Sequence, residues 1–184
     1  MGILFLPMLL AGIVMMIKSP ELLRKRLDAK EKQREQGMVI KLSGLMFLAG
    51  FILAGLGHRF SWYTLPMGVS VGASVTFLLA YALWAEVLRE NAYLSRTIKV
   101  QEGQRVVDTG LYGMVRHPMY AASLLLFLSM PLILGSVYAF LVFLTYPAII
   151  AARIKNEEAF LEKELEGYAA YRKKVKYRLI PWIW

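Results

Sequence analysis

The chain alternates between apolar runs and shorter polar segments along its whole length. Five apolar runs are visible, at residues 3–17, 39–57, 65–88, 121–134 and 137–150. Roughly 20 helical residues are needed to cross the hydrocarbon layer of a bilayer, and the second and third runs come close to or exceed that length. The pattern therefore predicts an all-α, polytopic membrane protein with five membrane segments.

The last two runs are shorter and lie close together. Each has about 14 residues, and Gly135-Ser136 separates them. Runs of that length favour a tight antiparallel helix hairpin that enters the membrane from the cytoplasmic side. The first run is also short, but its first charge is Lys18, after the apolar residues, whereas a signal peptide begins with cations. We therefore interpret it as a membrane helix.

Composition agrees with a membrane protein. Apolar residues make up 58% of the chain and charged residues 19%, with a mean hydropathy of +0.49. Soluble domains are nearer to about half apolar and about a quarter charged. The chain has no cysteine, which excludes disulfides and zinc-thiolate sites, and its histidines are His58 and His117. We predict no metal site, and we treat residues 1–184 as one domain.

The net charge of +9 is unevenly distributed along the chain. Eight Lys or Arg residues lie in 18–41, five in 89–117 and eight from residue 153 onwards, whereas 58–64 holds only Arg59. If five segments cross in sequence, the three clusters share one side, which the positive-inside rule assigns to the cytoplasm. The pattern predicts an integral membrane protein with its N-terminus outside and its C-terminus in the cytoplasm.

Polar residues are packed closely before the fourth apolar run. Arg116-His117-Pro118 stands almost directly before it. Pro118 suits a first helical turn, because its fixed φ is helical and a first-turn N–H has no intrahelical acceptor. A helix N-terminus beside Arg116 is a natural seat for a carboxylate or phosphate. The alternative is that Arg116 and His117 only mark the membrane–water boundary.

A second polar stretch, residues 153–161, continues the fifth run out of the membrane. Arg153 and Glu157 are four residues apart, so they share one helix face. They form either an ordinary exposed pair, worth about 0.3–0.5 kcal/mol, or part of a ligand site. At membrane depth each charge would cost about 2.5–3.5 kcal/mol, which favours the ligand site. The sequence alone leaves both interpretations open.

Together these motifs resemble the isoprenylcysteine carboxyl methyltransferase family. The matching residues are, in order, Gly110-x-Tyr112-x-x-x-Arg116-His117-Pro118-x-Tyr120, then Arg153-x-x-x-Glu157-Glu158-x-x-Leu161, then Tyr168-x-x-Tyr171 and Leu179-Ile180-Pro181. The resemblance covers roughly residues 91–181, about half of the chain. The same core is similar to the wider group that contains phospholipid N-methyltransferases, so it indicates the fold and cofactor more firmly than the acceptor.

The resemblance implies a small helical membrane enzyme that uses S-adenosyl-L-methionine and has a cytoplasmic C-terminal tail that completes the site. By position, it implies cofactor contacts at Gln104, Arg105, Val106, Val107, Tyr112, His117, Pro118, Met119, Tyr120 and Glu157. Arg153 matches the family's acceptor-side arginine, and a further contact falls loosely at residues 97–99. Residues 1–89 carry no readable motif, and we expect them to shape the acceptor pocket.

The chemistry of this cofactor suits the residue types implied. The faces of Tyr112 and Tyr120 would attract its sulfonium cation, a cation–π interaction worth about 0.5–2 kcal/mol. The helix start at Pro118, with His117, would hold its carboxylate. Glu157 would accept a hydrogen bond from its amino group or ribose.

We therefore expect methyl transfer to a lipid-like or prenylated acceptor, first of all carboxyl methylation of an isoprenylcysteine-type substrate. Methylation of a phospholipid headgroup amine is the alternative within the same class. The Arg-His-Pro-x-Tyr element is also similar to one in membrane sterol reductases, which are longer proteins that use NADPH. The remaining alternative is a membrane scaffold without enzymatic activity.

Other charged and aromatic residues have simpler interpretations. We expect the cations at 172–178 to form a solvated face attracted to anionic membrane lipids, and we expect no binding of nucleic acid. Trp182 and Trp184 are interpreted as interfacial anchors. Glu86 is interpreted as a boundary charge paired with Arg89, with a position along the acceptor path as the alternative.

Overall fold

The computed structural model describes residues 2–27, 34–62, 65–95 and 97–184. Within these ranges the chain forms helices and no β-strand. The helices are α1 (Gly2–Lys18), α2 (Pro20–Leu27), α3 (Arg34–Arg59), α4 (Met67–Glu90), α5 (Leu111–Met114), α6 (Pro118–Ile133), α7 (Val137–Phe143), α8 (Tyr146–Glu164) and α9 (Tyr168–Lys174). Lys30, Lys32 and Arg96, three of the clustered cations, lie outside the described residues.

Three helical stretches of the described chain are long and apolar enough to cross a membrane. They are Gly37–Arg59, Met67–Glu90 and Val137–Glu164, of 23, 24 and 28 residues. The third stretch is longer than the last apolar run because α8 continues through the polar stretch as far as Glu164. The helices α1 and α6, of 17 and 16 residues, are shorter. The five-segment arrangement and the hairpin stay predictions.

Local sequence explains where α6, α7 and α8 begin and end. Pro118 occupies the first turn of α6, as the sequence predicts. Gly135 has φ of +71° after α6, a conformation that favours glycine, and the hydroxyl of Ser136 caps α7 by accepting from the amide of Ala139 at 3.2 Å. Pro147 lies in the first turn of α8 and cannot donate a backbone hydrogen bond, so the helix is interrupted between α7 and α8.

The helix α4 packs most extensively along α6, and α1 covers part of α4. Leu4, Phe77, Ala80 and Leu126 form the core of this contact, and Phe77 and Ala80 are fully buried. The hydroxyl of Ser70 also donates to the carbonyl of Leu132 at 2.9 Å, which ties α4 to the end of α6. This packing aligns the cytoplasmic end predicted for α4 with the start of α6.

The helix α3 packs against α7 and α8. A methyl group added at Gly50 would collide with the ring of Phe143, so the two helices approach closely there. The ring of Phe47 makes edge-to-face contacts with Phe127 at 4.8 Å and with Phe143 at 5.2 Å between centroids. Aromatic contacts of this kind fix the side-chain geometry of the core at which α3, α6 and α7 meet.

The outer faces of the long helices are apolar and exposed. Leu45, Leu48 and Leu79 are each more than 60% exposed, and Ile17 on α1 is 75% exposed. Soluble monomers rarely expose contiguous apolar surface on this scale, so lipid is the environment that these faces suit.

Candidate functional site

The backbone of the segment before α6 pairs with the C-terminal tail. The amide of Arg116 donates to the carbonyl of Tyr177 at 2.9 Å, and the amide of His117 donates to the carbonyl of Arg178 at 2.8 Å. The Nη1 atom of Arg116 donates to two further tail carbonyls, at 2.6 and 2.8 Å. These bonds hold the tail against the start of α6.

A buried carboxylate, Glu158 on α8, joins the same elements. Its Oε1 atom accepts from Nε of Arg116 at 2.7 Å and lies 3.2 Å from Nε2 of His117. Its Oε2 atom accepts from Nε of Arg178 at 2.9 Å. Glu158 is 3% exposed. Burying a carboxylate costs several kcal/mol unless it is paired and hydrogen-bonded, and here two guanidinium groups supply that compensation.

This Glu158 cluster changes the interpretation of three residues. Arg116, expected beside an anion seat, instead bonds Glu158 and the tail. His117, expected to hold the cofactor carboxylate, directs Nε2 towards Glu158. Arg178, expected on a solvated face, also belongs to the buried cluster. For the two arginines the physical reason is the same, since a buried carboxylate must be paired with cations.

A second polar group connects α6 and α8. The hydroxyl of Tyr120 donates to Oε2 of Glu157 at 2.5 Å and accepts from Nε of Arg153 at 2.8 Å. The guanidinium carbon of Arg153 also lies 5.9 Å from the centroid of the Tyr120 ring. Arg153 and Glu157 thus share one face of α8, as predicted, and Tyr120 bridges them.

The loop between α4 and α5 is folded by its own side chains. The amide of Tyr93 donates to Oδ1 of Asn91 at 2.9 Å, and Nε2 of Gln101 donates to the carbonyl of Tyr93 at 2.5 Å. The side-chain oxygen of Gln104 accepts from the amide of Gln101 at 2.9 Å. Thr97 is buried within this loop. The loop is therefore a structured wall beside the start of α6.

The end of α4 anchors that loop to α5. A carboxylate oxygen of Glu90 accepts from the amide of Leu111 at 2.9 Å. Gly110 has φ of +56°, which favours glycine, and a methyl group there would displace the same carboxylate from Leu111. Glu86 pairs with Arg89 at 2.5 Å on the surface, as the sequence predicts.

A cavity of about 780 Å³ lies between these elements and α1, α3 and α4. It is lined by all but one of the residues that the sequence predicts for the site, namely Gln104, Arg105, Val106, Val107, Tyr112, His117, Met119, Tyr120, Arg153 and Glu157. Residues 97–99 line it as well. Pro118 does not, because it is fully buried at the start of α6. Side chains separated by up to 60 residues of sequence thus share one space.

The other wall of the cavity is apolar and comes from residues 1–89. Its members share a position on the inner faces of α1 and α3, and they are Met8, Ala11, Gly12, Met15, Val39, Ile40, Ser43, Gly44 and Phe47. A methyl group added at Gly12 or Gly44 would meet no atom within 4 Å. The half of the chain without a readable motif therefore contributes much of the apolar lining, to which Leu126, Phe127 and Ile150 of α6 and α8 also belong.

Three tyrosines stand at the polar end of the cavity. The hydroxyl of Tyr171 donates to the carbonyl of Tyr112 at 2.8 Å, and burial raises the pKa of Tyr171. The hydroxyl of Tyr168 is buried and has no hydrogen-bond partner among the described residues. Burial, and then the carboxylates of Glu158 and Glu157, raise its pKa. Both hydroxyls therefore stay protonated at neutral pH.

Two exposed ion pairs involve cations of α9. Lys174 lies 2.6 Å from Asp108 and its hydrogen bond lowers the pKa of that carboxyl, while Arg172 lies 2.6 Å from Glu162. Such pairs contribute at most about 1 kcal/mol. The solvated-face interpretation holds for these two cations. Among the residues that the structure describes, no three His, Cys, Asp or Glu side chains cluster as metal ligands would.

Sequence reasoning missed the central role of Glu158. The buried residues of α8 are Tyr146, Ile150, Ile154 and Glu158, spaced four apart. A carboxylate at the end of a buried apolar stripe is a signal that the sequence does contain. Adjacent helix positions are about 100° apart, so Glu157 faces the cavity while Glu158 faces the core.

Two further cavity residues had no assigned role. The hydroxyl of Tyr146 donates to the hydroxyl of Ser123 at 3.1 Å, and both residues line the cavity near Tyr120. In the sequence alone, a tyrosine and a serine in apolar helices are indistinguishable from ordinary membrane-helix residues. Only their approach in the fold distinguishes them.

Comparison with known proteins finds two reductases of similar sequence. A Delta(14)-sterol reductase of Mus musculus is 32% identical over 91 residues, and one of Methylotuvimicrobium alcaliphilum is 30% identical over 93 residues. The matches cover 48% and 49% of this chain. They span 22% of each reductase, so the likeness concerns a minor part of those proteins.

A family comparison covers more of the chain. The sequence model of the phospholipid methyltransferase family matches residues 67–167, from the start of α4 to the turn before α9. This region contains the Glu158 carboxylate, the Tyr120 bridge and the loop wall of the cavity. Since the match extends over more than half of the 184 residues, the protein belongs to the phospholipid methyltransferase family.

Proposed function

We propose that the protein transfers a methyl group from S-adenosyl-L-methionine to a lipid-like acceptor. The observation that carries this proposal is a single cavity with two unlike walls, one polar and one apolar. The polar wall contains the family-like residues, and the apolar wall comes from helices whose outer faces suit lipid. Such a cavity accommodates a polar cofactor and a hydrophobic acceptor side by side.

The cofactor requires an aromatic or acidic environment for its sulfonium, an acceptor for its amino group and a slot for adenosine. Tyr112 and Tyr120 supply aromatic faces, and Glu157 supplies a carboxylate. Pockets for small ligands have volumes of about 300–1,000 Å³, so a cavity of about 780 Å³ is large enough. These residues would hold the cofactor, which supplies the electrophilic methyl group.

Arg153 is the proposed contact for the acceptor. It lines the cavity beside Tyr120, and guanidinium groups bind carboxylates and phosphates through paired hydrogen bonds. The acceptor's hydrocarbon chain would lie against α1 and α3. We infer that the acceptor reaches this position laterally from the bilayer, while the cofactor enters from the cytoplasmic side.

The first candidate reaction is carboxyl methylation of an isoprenylcysteine-type lipid. The bound cofactor would supply the methyl group to a carboxylate oxygen of the acceptor and would remain as the thioether S-adenosylhomocysteine. The residues of the site would supply alignment and exclusion of water. A carboxylate is already ionised at neutral pH, so no general base is needed.

The second candidate is N-methylation of a phospholipid headgroup, which the family membership favours. A headgroup ammonium must lose a proton before it attacks the methyl group. Glu157, hydrogen-bonded to Tyr120, is the candidate base, and Arg153 would hold the lipid phosphate.

The similarity to the two reductases keeps a third reaction open, NADPH-dependent reduction of a sterol-like double bond. A scaffold without enzymatic activity would bind neither S-adenosylmethionine nor NADPH. The choice is therefore an experimental one between two cofactors.

The test uses the purified full chain in detergent with methyl-labelled S-adenosylmethionine. Prenylcysteine analogues, phosphatidylethanolamine, fatty acids and small thiols serve as acceptors. We expect label in a lipid-like product and none in the thiols. Binding of NADPH, with no binding of S-adenosylhomocysteine, would instead assign the chain to the reductase reaction.

A further inference from the structure

The hydroxyl of Tyr168 is the feature of the cavity that the site as described above does not use. Tyr168 is 4% exposed and lines the cavity, and its hydroxyl has no hydrogen-bond partner among the described residues. Buried polar groups in folded proteins are almost always hydrogen-bonded, and an exception needs an explanation. A ligand in the cavity is the explanation that its position suggests.

The surroundings of Tyr168 locate it within the cavity. It packs with Leu165, Tyr171 and Val175, and with Val106 of the loop wall. Val106 belongs to the stretch for which cofactor contact is predicted. The apolar wall of α1 and α3 is not part of this cluster. Tyr168 therefore stands beside a residue for which cofactor contact is predicted, and apart from the apolar wall of α1 and α3.

We propose that the hydroxyl of Tyr168 hydrogen-bonds a polar atom of an adenosyl-type cofactor. This inference rests on the proposed function and names a contact that is not among the residues for which cofactor contact is predicted. The group is a neutral hydroxyl, so it donates to an oxygen or nitrogen acceptor of the ligand without adding charge. Glu157, a carboxylate on the cavity wall, only accepts, whereas Tyr168 can donate.

The proposal predicts that Tyr168→Phe changes the thermal stability of the protein and its affinity for the cofactor independently. In Tyr168→Phe the protein loses a buried hydroxyl that has no partner within the described chain, so unfolding should be unaffected or should require a higher temperature. The cofactor loses one hydrogen bond, so its affinity should fall by about 5- to 10-fold. A hydroxyl with a purely structural role would show the opposite pattern.

The experiment is calorimetric titration of the full chain in detergent with S-adenosylhomocysteine, with thermal unfolding measured on the same samples. Tyr138→Phe is the matched control for binding, because Tyr138 is 46% exposed and does not line the cavity. Tyr171→Phe is the control for stability, because it removes a hydroxyl that bonds the carbonyl of Tyr112. We expect Tyr168→Phe to bind S-adenosylhomocysteine more weakly and Tyr138→Phe to bind it as the unaltered protein does. We expect Tyr171→Phe to unfold at a lower temperature.

Two results would overturn the inference. One is unchanged affinity in Tyr168→Phe, which would mean that the hydroxyl meets no part of this ligand. The other is a joint loss of affinity and stability like that of a damaged fold. Failure of the unaltered protein to bind S-adenosylhomocysteine would instead reject the proposed function itself, so the two failures are distinguishable.

Discussion

The hydroxyl of Tyr120 connects a carboxylate and a guanidinium that both lie on α8. Hydrogen bonds to charged groups are stronger than those between neutral groups, so this bridge fixes the orientation of both side chains. Arg153 and Glu157 are therefore presented to the cavity in a defined geometry. Their roles are separable, because one faces the proposed acceptor and the other the proposed cofactor.

Glu157→Gln should weaken binding of S-adenosylhomocysteine by about 1.5–3 kcal/mol, or about 10- to 150-fold. The reason is the loss of a charged hydrogen-bond acceptor, while the amide keeps the shape of the side chain. Calorimetry measures the change. Glu162→Gln is the matched control on the same helix, since Glu162 pairs with Arg172 on the surface. If Glu157→Gln and Glu162→Gln bind S-adenosylhomocysteine equally well, Glu157 does not contact the cofactor.

Arg153→Lys should lower kcat/KM and leave cofactor affinity unchanged. A carboxylate acceptor is gripped through two parallel hydrogen bonds from a planar guanidinium, which an ammonium does not reproduce. The expected loss in transition-state stabilisation is about 1.5–3 kcal/mol. Labelled methyl transfer gives kcat/KM, and Arg172→Lys is the control.

A lipid phosphate at Arg153 gives a different outcome. Lysine binds phosphate well, so Arg153→Lys should then be mild and Arg153→Ala severe. The acceptor role is wrong if both variants keep full activity, or if both lose cofactor binding and activity in equal measure.

At the scale of elements, the tail after α9 is held in place by Glu158 and by backbone pairing with the segment before α6. The helix α8 thus carries two functions on two faces. Its cavity face presents Arg153 and Glu157, and its core face secures the tail through Glu158. The core face stabilises the arrangement that the cavity face needs.

Glu158→Gln should destabilise the protein by about 3–5 kcal/mol, because it leaves the buried guanidinium of Arg116 and the partly buried one of Arg178 without their carboxylate. Chemical denaturation in detergent measures the free energy of unfolding. Trypsin should also cut faster next to Lys174 and Lys176 as the tail is released. Glu162→Gln, which breaks an exposed pair, should cost no more than about 1 kcal/mol. Equal effects of the two substitutions would show that the Glu158 cluster does not hold the tail.

At the scale of the whole molecule, the described residues have two distinct ends. At one end, the amide of Leu65 donates to the carbonyl of Gly135 at 3.0 Å, and the ring of Trp62 contacts Tyr138. At the other end lie the loop wall, the Glu158 cluster and the tail. Two of the three cation clusters adjoin that second end, and the positive-inside rule predicts that this end faces the cytoplasm.

The predicted topology can be tested with single cysteines, because the natural chain contains none. Cysteines at Gly2 and Arg59 should react with a membrane-impermeant maleimide in intact cells. A cysteine at Lys173 should react only after lysis. The reason is the positive-inside rule together with five crossings. Labelling of Gly2→Cys and Lys173→Cys from the same side would reject the five-segment arrangement.

Much of this protein is determined by local sequence. The apolar runs predict helices, Pro118 begins α6, and the Arg153–Glu157 spacing places two charges on one face. These inferences succeed because helix periodicity and proline geometry act over one or two turns. The residues that line the cavity were also largely predictable, although through family-like motifs rather than through spacing alone.

The tertiary structure alone decided which of these residues meet. Glu158 lies 42 residues from Arg116 and 20 from Arg178 in sequence, and no local rule pairs them. The same is true of the Tyr120 bridge, of the apolar wall from α1 and α3 and of the Tyr168 hydroxyl, which has no hydrogen-bond partner within the described part of the chain. Helix periodicity tells which face of an element is buried, but the partner across that face depends on the packing of the whole chain.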